Sequence, residues 1–292
     1  MIKQKIDLFA ASFEEFLKNE FSFDDNEFAR HYKAMKYSLL SGGKRLRPFI
    51  LGSFYKAMGK KDQNFLNFAA ALEMIHTYSL IHDDLPSMDN DDFRRGRPSC
   101  HKAFDEATAL LAGDGLLTKA FETAAKTKGI SAEYVVEGIS VLAYYSGADG
   151  MIGGQMVDLA IENTKAPIET VLDMYKKKTG ALLVAAAKIG TVLAGGNDAL
   201  KSAAEEYAAN LGIAFQIQDD ILDVIGDAKL LGKPIGSDDK NQKSTYVHLK
   251  GLEQAKKDVV SYTEKAKKAL EIFGENAVDL VELADYLIDR KY

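Results

Sequence analysis

Apolar residues recur along this chain at spacings of three and four. Ile6, Phe9, Phe13, Phe16 and Leu17 form one such stripe, and Val259, Tyr262, Ala266, Ala269 and Leu270 form another. That spacing places side chains on one face of an α-helix. Strict alternation over the length of a strand is hard to find, and no Asn-Gly or Asp-Gly pair sits between alternating runs as a hairpin would require. Pro48 and Pro167 stand where helices could begin, and Pro86 and Pro98 bracket a loop. The segments from Pro98 to Pro167 and from Pro167 to Pro234 are rich in Ala, Leu, Glu and Lys, which favour helix. The pattern predicts an all-α fold of about ten core helices, with loops near 86–99 and 226–244.

Composition narrows this picture. A chain of 292 residues is long enough for two domains, but its five prolines, the absence of a Ser/Gly-rich linker and the even composition favour a single domain over residues 1–292. Apolar content of 47% with 27% charged residues excludes a disordered or collagen-like chain. The net charge of −6 argues against a general nucleic-acid binder. One cysteine, Cys100, leaves no internal disulfide framework and fits a reducing compartment. Lys3 and Lys5 are followed by Asp7, Glu14 and Glu15, not by the apolar core of a signal peptide. The most apolar stretch, Ala181 to Gly196, contains Lys188 and is short for a bilayer span. The expectation is a soluble, cytoplasmic protein with no membrane span.

Candidate chemistry comes from two aspartate clusters. Asp83-Asp84-Leu85-Pro86-Ser87-Met88-Asp89 closes the apolar helix that runs from Phe68 to Leu80, and Asp91 and Asp92 follow. Taken alone, this is a solvated acidic loop. The second cluster changes that reading. Gln216, Asp219, Asp220 and Asp223 fall at i, i+3, i+4 and i+7 on a helix whose other residues include Leu211, Ile213, Phe215, Ile217, Ile221 and Leu222. Two carboxylates about 6 Å apart repel by roughly 3 kcal/mol at an effective dielectric near 20. A hard, oxygen-loving cation explains why a helix against the core would carry them. Basic groups then interleave with the acids: Gly42-Gly43-Lys44-Arg45-Leu46-Arg47-Pro48, Arg94-Arg95-Gly96-Arg97, Lys178-Thr179-Gly180, Lys233 and Lys243. Arginine suits forked recognition of phosphate and lysine neutralises it as a point charge. Together they suit a Mg2+–diphosphate ligand.

These motifs resemble the trans-isoprenyl diphosphate synthases, most closely the bacterial farnesyl diphosphate synthases. The block from Gly42 to Pro48 is similar to that family's first basic block. Asp83 to Asp89 is similar to its first aspartate-rich motif, with two residues more than the shorter D-D-x-x-D form. Gly154-Gln155-Met156-Val157-Asp158, Lys178-Thr179-Gly180 and Phe215-Gln216 resemble its middle blocks, and Asp219-Asp220-Ile221-Leu222-Asp223 its second aspartate-rich motif, with Lys233 and Lys243-Ser244-Thr245-Tyr246 behind it.

The resemblance implies a helical bundle around a central cavity, a homodimer, and head-to-tail prenyl transfer from dimethylallyl and then geranyl diphosphate to isopentenyl diphosphate. Geranylgeranyl diphosphate synthesis and, more distantly, a terpene cyclase are the alternatives within the fold. More than one Mg2+ is implied, held by Asp83, Asp89 and Asp219 with Asp84 and Asp223 in support. Arg94, Lys178, Lys233 and Lys243 would neutralise the departing diphosphate. Gly43, Lys44, Arg47, His76 and Arg95 would bind isopentenyl diphosphate. Thr179 and Gln216 would present oxygen dipoles to the allylic cation. Tyr78, five residues before Asp83, would floor the cavity and set chain length, with the small Ser79 beside it. One reading from outside this family, a di-iron bundle suggested by Glu73-Met74-Ile75-His76, lacks its second Glu-x-x-His element.

Overall fold

The helical spacing is realised almost throughout. The computed structural model describes residues 1–20, 29–162, 164–225 and 245–288. By their contacts the described residues gather into two compact units, one built from Lys3–Gly52 and Asp62–Ile139, the other from Ser53–Lys61 and the residues from Ser140 on.

In the first unit, α1 (Ile2–Glu20) is followed by α2 (Ala29–Leu39), the opening of α3 (Leu46–Ala57), α4 (Leu66–Asp83), the single turn α5 (Cys100–Ala103), α6 (Glu106–Ala125) and the opening of α7 (Ala132–Ser146). The stripe predicted for α1 faces inward, with Ile6, Phe13 and Leu17 buried. α4 is apolar on nearly every side, so no face of it prefers water. It forms the centre of this unit and packs most extensively along α6. α6 begins at Asp105, whose carboxylate caps the helix by accepting the Thr108 backbone N–H at 2.7 Å. Between α4 and α5, β1 (Phe93–Arg94) pairs antiparallel with β2 (Arg97–Pro98) around Arg95-Gly96.

The second unit holds α8 (Met151–Ile161), α9 (Ile168–Met174), one turn and a half of π-helix (Tyr175–Gly180), α10 (Ala181–Leu193), α11 (Asp198–Ile225), α12 (Tyr246–Lys250), α13 (Leu252–Ala269), a 3-10 segment (Glu271–Ala277) and α14 (Val278–Ile288). α11 is the long central helix, lying against α10 and α13. Its Tyr207 is fully buried and donates to the Leu280 carbonyl at 2.8 Å. α10, the most apolar stretch of the sequence, is a core helix. Among the described residues no helix is long and apolar enough to cross a membrane.

The described residues thus contain fourteen α-helical segments, two of them the short α5 and α12, against about ten core helices expected. The hairpin at 93–98 was not foreseen. Its two-residue loop needs positive φ at both positions, and Arg95 (φ 52°) with Gly96 (φ 73°) supplies this without the Asn-Gly signature. The second expected loop, 226–244, lies outside the described residues, together with Lys233 and Lys243.

Candidate active site

In the first unit, the chain between Gly42 and Arg47 enters α3 through Gly42 (φ 82°), Gly43 (φ 123°) and Arg45 (φ 49°). Left-handed backbone at a non-glycine residue costs about 1–3 kcal/mol and persists only where surroundings over-determine it. Here the surroundings are ionic. The Arg45 side chain is fully buried; it donates to Glu14 of α1, to Glu73 of α4 at 2.5 Å, and to the Leu39 carbonyl at 2.7 Å. Arg45 is therefore part of the scaffold, and Glu73 is its partner and not one half of a di-iron motif. Arg45→Met should destabilise the protein by about 3–5 kcal/mol, since it leaves a buried carboxylate uncompensated. Urea unfolding followed by circular dichroism measures this, and a shift under 1 kcal/mol would show that Glu73 finds other partners.

Arg47, next along the same block, has a different role. Its Nη1 donates to His76 Nε2 at 3.3 Å. Arginine can only donate, so His76 accepts at Nε2 and carries its proton on Nδ1. Burial, and then the charges of Arg47, Arg95, Arg45 and Arg94, hold His76 well below the ordinary histidine range, which keeps it neutral. Burial pushes Arg47 itself down to about 10, still cationic at neutral pH. Its Nε is buried without a hydrogen-bond partner. An orphaned guanidinium N–H costs about 1–3 kcal/mol, which an anionic ligand would recover. Arg95 reaches back across the hairpin, donating to the Gly42 carbonyl and to Ser41 Oγ. Its guanidinium lies against Gly43, where an added Cβ would come within 3.0 Å of Cζ. Among the described residues neither Arg47 nor Arg95 forms an ion pair, so both cations are available to an anion. Lys44 is exposed beside them.

The first aspartate cluster caps α4. Asp83 is the last residue of the helix, where the carbonyl ends of the macrodipole disfavour a negative charge. The Asp89 backbone N–H donates to the Asp83 carbonyl at 2.9 Å, which folds the loop back on the helix end. Asp84 is buried and held by Arg94, which also reaches Asp91 at 3.3 Å. Burial pushes the Asp84 carboxyl up from its ordinary range in spite of that guanidinium. Arg94 stands on a strand and Arg95 on the turn beyond it, so the two neighbours serve different partners. One turn back on α4, Tyr78 is buried, with its ring edge-on to His82 (5.6 Å between centroids) and its hydroxyl without a partner. Burial pushes that phenol up to about 12. Ser79 turns its hydroxyl onto the His76 carbonyl at 2.9 Å.

In the second unit, Lys178 and Thr179 lie in the π-helix, a wide turn common at functional sites. Lys178 Nζ donates to the buried Asp158 of α8 at 2.5 Å. Two glycines allow this turn its close neighbours. A Cβ on Gly154 would collide with the Lys178 backbone, and one on Gly212 would stand 3.0 Å from Gly180 Cα. Gln216 and Asp219 of α11 are half-buried and Asp223 is buried. Asp158, Glu14 and the buried partners of Asp220 were given no role by the sequence. Glu73 left a trace as a charge inside the apolar run Leu72 to Ile75, and Asp158 and Tyr246 stand within sequence motifs without a role.

Does this donor set fit Mg2+? Among the described residues no group of three or more His, Cys, Asp or Glu side chains is gathered as an ion cage. Mg2+ does not ask for one: it keeps waters and binds through one or two carboxylates plus substrate phosphates. The carboxylates of Asp83, Asp89, Asp219 and Asp223 are hard oxygen donors, which is a fitting chemistry for that ion.

Helices throughout, with carboxylates at the end of α4 and along α11, Arg94 paired with Asp84 in the first unit and Lys178 with Asp158 in the second, define an all-α protein rich in buried charged groups. The sequence profile of the Polyprenyl synthetase family matches residues 29–283, and the chain belongs to that family. It is 46% identical over 265 residues to the farnesyl diphosphate synthase of Escherichia coli K12, covering 88% of each chain. To the geranylgeranyl diphosphate synthase of Cyanophora paradoxa it is 43% identical over 261 residues, 89% of this chain and 87% of that one. The crystal structure of an FPP/GFPP synthase from Zymomonas mobilis superposes with a TM-score of 0.88 at 35% identity, covering 98% of both chains.

Proposed function

We propose that this chain is a Mg2+-dependent farnesyl diphosphate synthase, working as a single cytoplasmic domain over residues 1–292 and as a homodimer. The observation that carries the reading is the Arg47–His76–Arg95 group with its unpaired Arg47 Nε. It lies in the same unit as the Asp84–Arg94 pair, in a chain similar over most of its length to synthases of this kind. Exposed Leu110 and Leu111 on α6 and Val136 on α7 support a partner copy.

Arg47, Arg95 and Lys44 hold the diphosphate of isopentenyl diphosphate, with Gly43 giving the backbone room to approach, and the neutral His76 keeps Arg47 in place. This orients the alkene toward the allylic carbon and removes most of the entropic cost of encounter. Asp83, Asp89 and Asp219 would hold Mg2+, supported by Asp84 and Asp223; when bound, the metal neutralises charge on the allylic diphosphate. Arg94 and Lys178 stabilise that diphosphate as the C–O bond breaks and the electron pair leaves with it. Lys233 and Lys243, outside the described residues, are assigned to the same group. Thr179 and Gln216 face the allylic cation with neutral oxygen dipoles, where a charged base would be alkylated. The isopentenyl double bond then forms the new C–C bond, and the adjacent proton goes to the departed diphosphate.

The test is diphosphate release from isopentenyl plus geranyl diphosphate, with and without Mg2+. Mg2+-dependent release with a fifteen-carbon product is expected, and no release with the metal present would sink the proposal. The two neighbouring arginines should separate by substrate. Arg94→Ala should raise KM for the allylic diphosphate, and Arg95→Ala that for isopentenyl diphosphate, each by about 10- to 150-fold, the worth of a charge-assisted hydrogen bond. Equal losses for both substrates in both variants would reduce the pair to a general positive field.

A further inference from the structure

Three aspartates fall within five residues of α11, and the proposed reaction uses only Asp219 and Asp223. Asp220 is buried, and its partners Tyr175 and Tyr246 belong to an apolar cluster with Val171, Met174, Ile213, Ile217, Ile221 and Val247. A carboxylate in such surroundings needs donors. Its Oδ2 accepts the Tyr175 hydroxyl at 2.6 Å and the Tyr246 backbone N–H at 2.8 Å, and that N–H also reaches the Tyr175 oxygen at 3.3 Å. Tyr175 is the first residue of the π-helix that carries Lys178 and Thr179. Tyr246 opens α12 behind the Thr245 cap, and its own hydroxyl donates to Asp258 of α13 at 2.8 Å. One carboxylate oxygen therefore joins α11, the π-helix and the start of α12.

We propose that Asp220 is a positioning residue and not a metal ligand: through Tyr175 it sets the π-helix, and with it Lys178 and Thr179, against α11. The inference deepens the function proposed above and rests on it for the roles of Lys178 and Thr179. The hydrogen-bonded junction itself stands on geometry alone. Asp220 and Asp219 are adjacent, so their side chains leave the helix about 100° apart. One can face the core while the other faces the reaction.

The substitutions that separate a clamp from a ligand are Asp220→Asn, Asp220→Leu and Tyr175→Phe, with Asp219→Asn for contrast. Asparagine keeps an oxygen that accepts the same two hydrogen bonds but is a poor Mg2+ donor. Asp220→Asn should keep kcat within about threefold of the parent with an unchanged Mg2+ half-saturation. Asp220→Leu and Tyr175→Phe should lower kcat, the former by about a hundredfold as Lys178 and Thr179 shift, again at unchanged Mg2+ half-saturation. The double variant should lose no more than Asp220→Leu alone, because both changes remove one interaction. Asp219→Asn should raise the Mg2+ requirement. The assignment is overturned if Asp220→Asn loses as much as Asp219→Asn with the same rise in Mg2+ requirement, or if the Leu and Phe losses add. Should Asp220→Leu fail to fold, Tyr175→Phe decides: a lowered kcat supports the clamp, and a parental kcat overturns it.

Hydrogen exchange at the Tyr246 amide reads the junction without any turnover. Protection kept in Asp220→Asn and lost in Asp220→Leu is expected, and protection unchanged in Asp220→Leu overturns the clamp. If the parent transfers no prenyl group, the proposed function fails, while this exchange measurement still judges the junction.

Discussion

Replacing Asp83 or Asp219 by alanine is expected to lower turnover about a thousandfold while leaving the helices in place. The size follows from the several kcal/mol that a metal contributes to a transition state developing charge, with each 1.36 kcal/mol worth about tenfold. The survival of the fold follows from where these carboxylates stand. Asp83 ends α4, where the helix dipole already opposes a negative charge, so its removal relieves an unfavourable interaction. Asp219 is only half-buried, and its loss opens no large cavity. Far-ultraviolet circular dichroism should match the parent, and a chelator should reproduce the loss in the unaltered protein. Near-parental activity in either variant, or activity that survives the chelator, would remove these residues from the metal site.

Tyr78→Ala should redirect the product from fifteen carbons to twenty or more. Tyr78 lies five residues before Asp83, about 7.5 Å along the helix axis at 1.5 Å per residue, and its ring is buried against His82. If the growing chain is anchored by its diphosphate near Asp83, that ring is the large obstacle on the same helix, while Ser79 beside it is small and bonded to its own backbone. Truncating a buried aromatic costs about 3–5 kcal/mol in general. Here the cost should fall at the lower end, because the Tyr78 hydroxyl is buried without a partner and its loss recovers part of the penalty. Tyr78→Phe should keep the product length and leave stability equal or slightly higher. If chromatography of the Tyr78→Ala products finds nothing beyond farnesyl diphosphate, another residue sets the length.

The helices and the charged motifs are legible in the sequence itself. Periodicity gave the helices because every long one buries a stripe or, in α4 and α10, nearly its whole circumference. The acidic and basic motifs were legible because their charges are costly in a folded chain and so stand out against apolar neighbours. What sequence reading missed was pairing at a distance. Nothing local says that Arg45 is fully buried while Arg47, two residues on, keeps an unpaired N–H, since that depends on Glu14 and Glu73 arriving from other helices. The same holds for Lys178 and Asp158, 20 residues apart. Spacing alone also does not say which aspartate of α11 has partners inside the protein. Like charges along α11 suggest a cation for the cluster, but Asp220 has hydroxyl and amide donors of its own.

The π-helix at Tyr175–Gly180 carries one more residue than an α-helix of equal height would need. Such a turn is a phase shift: everything on its far side is rotated by about 100° from where an uninterrupted helix would place it. α9 and α10 can therefore each keep their apolar faces on the core while the residues between them point where neither helix alone could aim them. A deletion of one residue here would restore regular helix, but it would rotate α10 by about 100° against α9 and turn Lys178 and Thr179 off their bearing. Selection for a tidy helix and selection for aim thus pull in opposite directions at this turn, and the wide turn marks which of the two prevailed.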